Sequence, residues 1–141
     1  MRAGVASGAI DAIATDHAPH PQEAKEATFD QAPPGMIGLE TALAVALTEL
    51  GSTLPVAAIL ALLSWRPAQI AGLSADHGGP VAAGATANLC VIDPDAKWVV
   101  DPALMASRSR NTPFAGRRLT GRVRHTVYRG EPVVIDGEAQ R

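Results

Sequence analysis

Cysteine is nearly absent from this 141-residue chain: Cys90 stands alone. A single cysteine excludes an internal disulfide framework and fits a reducing, cytoplasmic compartment. It lies in the strand-like run "ANLCVID", which predicts a buried, unreactive thiol rather than a nucleophile. Aromatic residues make up only 4% of the chain, too few to supply the stacking platforms of single-stranded nucleic-acid binders. Apolar runs are short as well. None reaches the roughly 18 residues of a membrane span, and the opening "MRAGVASGAIDA" lacks the apolar core of a signal peptide. What remains, 47% hydrophobic and 18% charged residues, is an ordinary globular composition.

Net charge is −2 and unevenly spread. Residues 1–101 carry four basic and eleven acidic side chains; residues 102–141 carry eight and three. A basic end raises nucleic-acid binding as an option. In "RVRHTVY", however, Arg122 and Arg124 alternate with Val123 and Val127, the pattern of a solvated sheet face. No nucleic-acid partner and no membrane are therefore expected.

The most informative stretch is "AIDAIATDHAPHP", residues 9–21. Residues 9–15 read as a buried strand, short, apolar and β-branched at Ile10 and Ile13. It delivers Asp16, His17 and His20 to a long loop with prolines at 19, 21, 33 and 34. Loops of this length in a compact domain usually carry function. Taken alone, the spacing leaves Asp16 equally open to a catalytic role and to capping a turn. His17 and His20 alone cannot make a zinc site, which needs three or four ligands.

Beyond the loop, Leu39, Leu43, Ala46, Leu47 and Leu50 share a helical face ending at Gly51. Pro55 opens a second apolar helix through about Leu63, and Pro67 a third that stops at Gly72. After Gly72 the chain becomes turn-rich. The runs "LCVID", "KWVV", "GRVRHTVYRG" and "EPVVIDG" read as short strands of a β-sandwich element. A lone strand cannot satisfy its edges, so the whole is expected to be the end of a larger architecture.

At "IATDHAPH" followed by "APPGMIGLET", and on through "RPAQIAGL", "GGPVAAGATANLCVIDPD", "NTPFAGRRLTGRVRHTVYRG" and "VVIDG", the chain resembles the C-terminal part of bacterial-type dihydroorotases, in the cyclic amidohydrolase superfamily. "DHAP" alone is shared with hydantoinase- and allantoinase-like relatives; the two loop motifs together are more specific. Asn88 departs from the Asp commoner in that superfamily, at the start of a strand.

The resemblance implies an α/β fold: residues 1–74 as the C-terminal end of a (β/α)8 metal-dependent hydrolase barrel, with 10–16 as its last strand, and 75–141 as a small β-sandwich. Such barrels take about 250 residues, with catalytic groups at the C-terminal strand ends. The family's His-x-His pair, carboxylated lysine and further histidine ligands have no counterpart here, where the only lysines are Lys25 and Lys97. The chain is therefore expected to be a fragment, inactive alone.

The resemblance further implies that Asp16 is both a metal ligand and the catalytic acid–base, with one or two Zn²⁺ as cofactor. It implies substrate contacts from His20, to a carboxylate, and from the backbone at Pro34 and Gly35. Glu40, in the first turn of the following helix where a carboxylate suits the dipole, is expected to be structural. The implied reaction interconverts N-carbamoyl-L-aspartate and L-dihydroorotate in pyrimidine synthesis. The alternatives are an allantoinase- or hydantoinase-like hydrolase and a non-catalytic subunit scaffolding an aspartate transcarbamoylase. Homo-oligomer formation and a transcarbamoylase partner stay open.

Overall fold

The computed structural model describes residues 1–140. Five helices come first: α1 (Arg2–Ala6), α2 (Gln22–Lys25), α3 (Ala42–Leu50), α4 (Val56–Leu63) and α5 (Trp65–Ile70). Four strands follow: β1 (Leu89–Val99), β2 (Arg118–Tyr128), β3 (Glu131–Ile135) and β4 (Glu138–Ala139). They form one antiparallel sheet in chain order, β1-β2-β3-β4. Among the described residues this is a single layer.

The sheet's turns follow from local chemistry. Two-residue links join β2 to β3 and β3 to β4. Arg129–Gly130 and Asp136–Gly137 fill them, all with positive φ, which matches the right-handed twist of the flanking strands. The sequence suggests separate strands at "LCVID" and "KWVV", but β1 runs through both. Its register breaks between Asp93 and Lys97, where Pro94 has no N–H to pair. Asp93 Oδ1 accepts the freed amides of Asp95 (3.1 Å) and Ala96 (3.0 Å), so the bulge leaves no orphan donor.

Helix α3 lies against β2. Ala46, Leu47 and Leu50 are buried with Ile59 and Leu62 of α4, and Ile13 packs on this cluster. A second cluster joins Ile37 and Ala44 to Val100, Met105 and Leu119, so the helical part and the sheet share a core. Gly121 sets the approach. It has φ +96, and a Cβ there would lie 2.3 Å from Leu47 Cδ1; only a residue without a side chain lets the helix sit this close. Thr48 Oγ1 accepts the Thr120 amide at 2.9 Å, and the Gly121 carbonyl accepts Trp98 Nε1–H at 2.9 Å.

Several expectations are corrected. The helix expected from Leu39 begins at Ala42, and Leu39 is exposed, because the chain before Ala42 is held in other contacts described below. Pro67 lies inside the first turn of α5 rather than opening it, a place where its missing N–H costs nothing. Residues 9–15 are neither buried nor assigned to a strand. A strand exists only through its neighbours, and the backbone bond made here by Ile13 runs to the carbonyl of Leu62 at 2.8 Å, a helix residue. Cys90 lies exposed on edge strand β1. Desolvation of its sulfur nevertheless pushes the thiol above its ordinary range, against a hydrogen bond from Thr126 that pulls it down. The arginines do form a solvated face. Arg122 is exposed and stacks on Trp98 at 4.9 Å, and Arg124 pairs with Asp136 at 3.2 Å. No described helix is long and apolar enough to cross a membrane.

Candidate functional site

The long loop folds back on itself so that residues 16–20 and 34–38 lie side by side. Its seam is short. His17 and Met36 form a parallel bridge, and the Ala18 amide donates to the Met36 carbonyl at 2.9 Å. His17 Nδ1 accepts the amides of Gly38 (3.1 Å) and Leu39 (3.4 Å), which gives His17 a structural task. Nearby, both carboxylate oxygens of Glu40 are taken by the amides of Ala106 (2.9 Å) and Ser107 (3.0 Å). Glu40 is thus structural, as expected, but it ties a distant segment instead of facing a helix dipole.

At the mouth of this seam stands Asp16. It is exposed and holds φ +44, the left-handed region that few non-glycine residues occupy and in which Asp, like Asn, is enriched. Such conformations persist where surrounding contacts impose them, and they concentrate at functional sites. Among the described residues its carboxylate accepts no hydrogen bond, unlike Asp93 and Asp101, whose carboxylates each hold nearby backbone amides.

The structure brings His20, Pro34 and Gly35 together. His20 Nε2 lies 3.0 Å from the Pro34 carbonyl oxygen, a contact that needs the proton on Nε2. Lys25 Nζ donates to the carbonyls of Pro33 (2.8 Å) and Gly35 (3.3 Å). Gly35 holds φ +116, and a Cβ there would sit 2.6 Å from Ala18 Cβ, so only glycine allows the two limbs to lie this close. Sequence reading did not anticipate Lys25, nor Asn111, whose amide also reaches this loop. Their partners are backbone carbonyls, which leave no mark on sequence spacing.

Among the described residues no three His, Cys, Asp or Glu side chains come together to hold a metal ion. Zinc needs three or four ligands, so these residues by themselves do not fit one; Asp16 offers a single carboxylate. Beside residues 13–15 opens an apolar groove of about 340 Å³ lined by Val5, Ile13, Met36, Val45 and Phe114, which leaves the chain leading to Asp16 uncovered on that side.

Known proteins resemble the chain over almost all of it. No family model matches. The dihydroorotase of Streptomyces coelicolor is 48% identical over 98% of this chain and 32% of its own length. The dihydroorotase of Mycobacterium tuberculosis is 44% identical, again over 98% of this chain and 32% of the relative. Among solved structures, an L-hydantoinase (dihydropyrimidinase) from Arthrobacter aurescens superposes with a TM-score of 0.88 at 30% identity, over 99% of this chain and 32% of that one. A D-hydantoinase (dihydropyrimidinase) from Thermus sp. also superposes at 0.88, with 26% identity over 99% and 31%. The chain is thus homologous to dihydroorotases over nearly all its residues, and it spans about a third of their length.

Proposed function

We propose that this chain is the part of a dihydroorotase that carries its acid–base carboxylate and one wall of its substrate pocket. The observation that carries the reading is the contrast in identity. Dihydroorotases match at 42–48% where hydantoinases of the same fold match at 20–30%. In this reading residues 1–74 end a (β/α)8 hydrolase barrel, 10–16 are its last strand, and 75–141 supply one layer of a small β-sandwich. The open groove beside Ile13 and the absence of any strand partner for residues 9–15 among the described residues suit a strand whose neighbours come from elsewhere.

In the ring-opening direction, water attacks the ring carbonyl of dihydroorotate. The Asp16 carboxylate takes the proton from that water as the C–O bond forms. It returns the proton to the ring nitrogen as the C–N bond breaks, which gives N-carbamoyl-L-aspartate and leaves Asp16 ionised for the next cycle. The reverse sequence closes the ring. His20 meets the substrate carboxylate. Its Nε2–H is engaged by Pro34, so that contact uses a protonated Nδ1 or a ring that releases Pro34. The backbone at Pro34 and Gly35 lies against the substrate; glycine permits a close approach of main chain to ligand, and backbone polar groups fix the orientation of a cyclic imide. Zn²⁺, where bound, supplies an activated water at neutral pH; Asp16 would be one of its ligands, with the rest from outside these residues. The proton steps above need only Asp16.

Assay of the complete enzyme containing this chain tests the reading. Turnover of L-dihydroorotate well above that of hydantoin or allantoin is expected. Preference for either of those rings, or no turnover of any, overturns it.

A further inference from the structure

We infer that Asn111 is a positioning residue for the candidate substrate pocket. It lies 76 to 93 residues from its side-chain partners in the loop and on the segment that leads into β2, yet its one amide group holds both limbs of the loop. Asn111 Nδ2 donates to the carbonyl of Ala18 at 3.0 Å on one limb and to the carbonyl of Gly35 at 3.4 Å on the other. Asn111 Oδ1 accepts the His20 amide at 3.4 Å, and its backbone carbonyl accepts the Ile37 amide at 3.1 Å. The side chain is partly buried, which limits competition from water for these bonds.

The chemistry requires an amide. Two donors and an acceptor on one planar group are needed to grip two carbonyls and one N–H together. Aspartate has the same shape, but it offers no donor and sets a negative charge against two carbonyl oxygens. Alanine removes the clasp altogether. Since Asn111 spaces His20 and Gly35, the two places proposed to meet substrate, it acts on binding through them and touches no reacting atom. The inference rests on the dihydroorotase reading for its activity arm alone.

The test uses Asn111→Asp and Asn111→Ala in the complete enzyme. For both variants, KM for dihydroorotate should rise about tenfold or more, the effect of losing one or two hydrogen bonds, with a much smaller change in kcat. Amides of residues 18–37 should exchange faster without substrate, while the melting temperature stays near that of the parent. Unchanged KM and loop exchange in both variants overturns the inference. So does a loss of folded protein in which the remaining folded enzyme keeps its parental KM. Should the parent enzyme fail to turn over dihydroorotate, the functional reading falls, and the exchange of residues 18–37 still decides whether Asn111 clasps the loop.

Discussion

Replacing Gly35 by alanine puts the loop's geometry under direct strain. The new Cβ would stand 2.6 Å from Ala18 Cβ, whereas non-bonded carbons settle at about 3.5–4.0 Å. The two limbs must therefore part by about 1 Å. The backbone adds its own resistance, because φ +116 suits glycine alone and costs another residue about 1–3 kcal/mol. Relief is available only by opening the seam. That movement stretches the Ala18–Met36 bond of 2.9 Å and the His20–Pro34 contact of 3.0 Å. A misplacement of about 1 Å around a catalytic site can lower turnover about 10²-fold. In the complete enzyme, Gly35→Ala should lower kcat/KM for dihydroorotate by about 10–100-fold, with a melting temperature several degrees below the parent. Steady-state kinetics and thermal unfolding measure both. A variant with parental kcat/KM and parental stability would show that the close approach at Gly35 has no bearing on the site.

Gly121→Ala should destabilise the fold by about 1–3 kcal/mol, since its Cβ would strike Leu47 on α3; urea unfolding with no shift in midpoint would refute the packing argument. His20→Ala should act mainly on KM, with metal content unchanged, because the charge-assisted hydrogen bond proposed to the substrate is worth about 1.5–3 kcal/mol; loss of metal with retained substrate affinity would show the residue misassigned. Glu49 is held below the usual carboxylate range, first by the hydrogen bond from Arg117 and then by the charge of Arg2. A lowered folded-state value means that its stabilisation is complete above about pH 4.3, the unfolded value, and is lost as pH falls through the folded one. The stability gap between the parent and Glu49→Gln should therefore be flat near pH 7 and shrink in acid, and a gap equally large at both ends would contradict the pairing.

Much of this fold is legible in the sequence because its signals are local. The apolar spacing of Leu43, Ala46, Leu47 and Leu50 marks α3, Pro55 marks the start of α4, and the apolar runs after Gly72 mark the strands. Local signals fail where a structure is decided at a distance. Residues 9–15 have the composition of a strand and remain unpaired, since strand formation depends on partners. Leu39 fits the helical period yet stays outside the helix, because His17 binds the preceding amides and Glu40 is drawn to residues 106 and 107. Cys90 has the sequence setting of a core residue but falls on the sheet's edge strand, a position set by strand order and not by the run around it. At the candidate site, Asp16, His20, Pro34 and Gly35 come from the loop motifs and the resemblance those motifs carry, and their roles are proposals. Lys25 and Asn111 were not legible there, as each serves only main-chain groups.

The central claim is that Asp16 is the acid–base group of a dihydroorotase, and Asp16→Asn in the complete enzyme tests it most directly. The amide keeps the size of the side chain, and Asn is also among the residues that tolerate the left-handed backbone found here, so folding should survive. It cannot take the proton from water or return one to the ring nitrogen. Loss of general acid–base catalysis should lower kcat about 10²–10⁴-fold, and kcat/KM should fall by the same factor in ring opening and ring closing, since the overall equilibrium is independent of the catalyst. A folded Asp16→Asn enzyme with near-parental turnover in both directions would contradict the account.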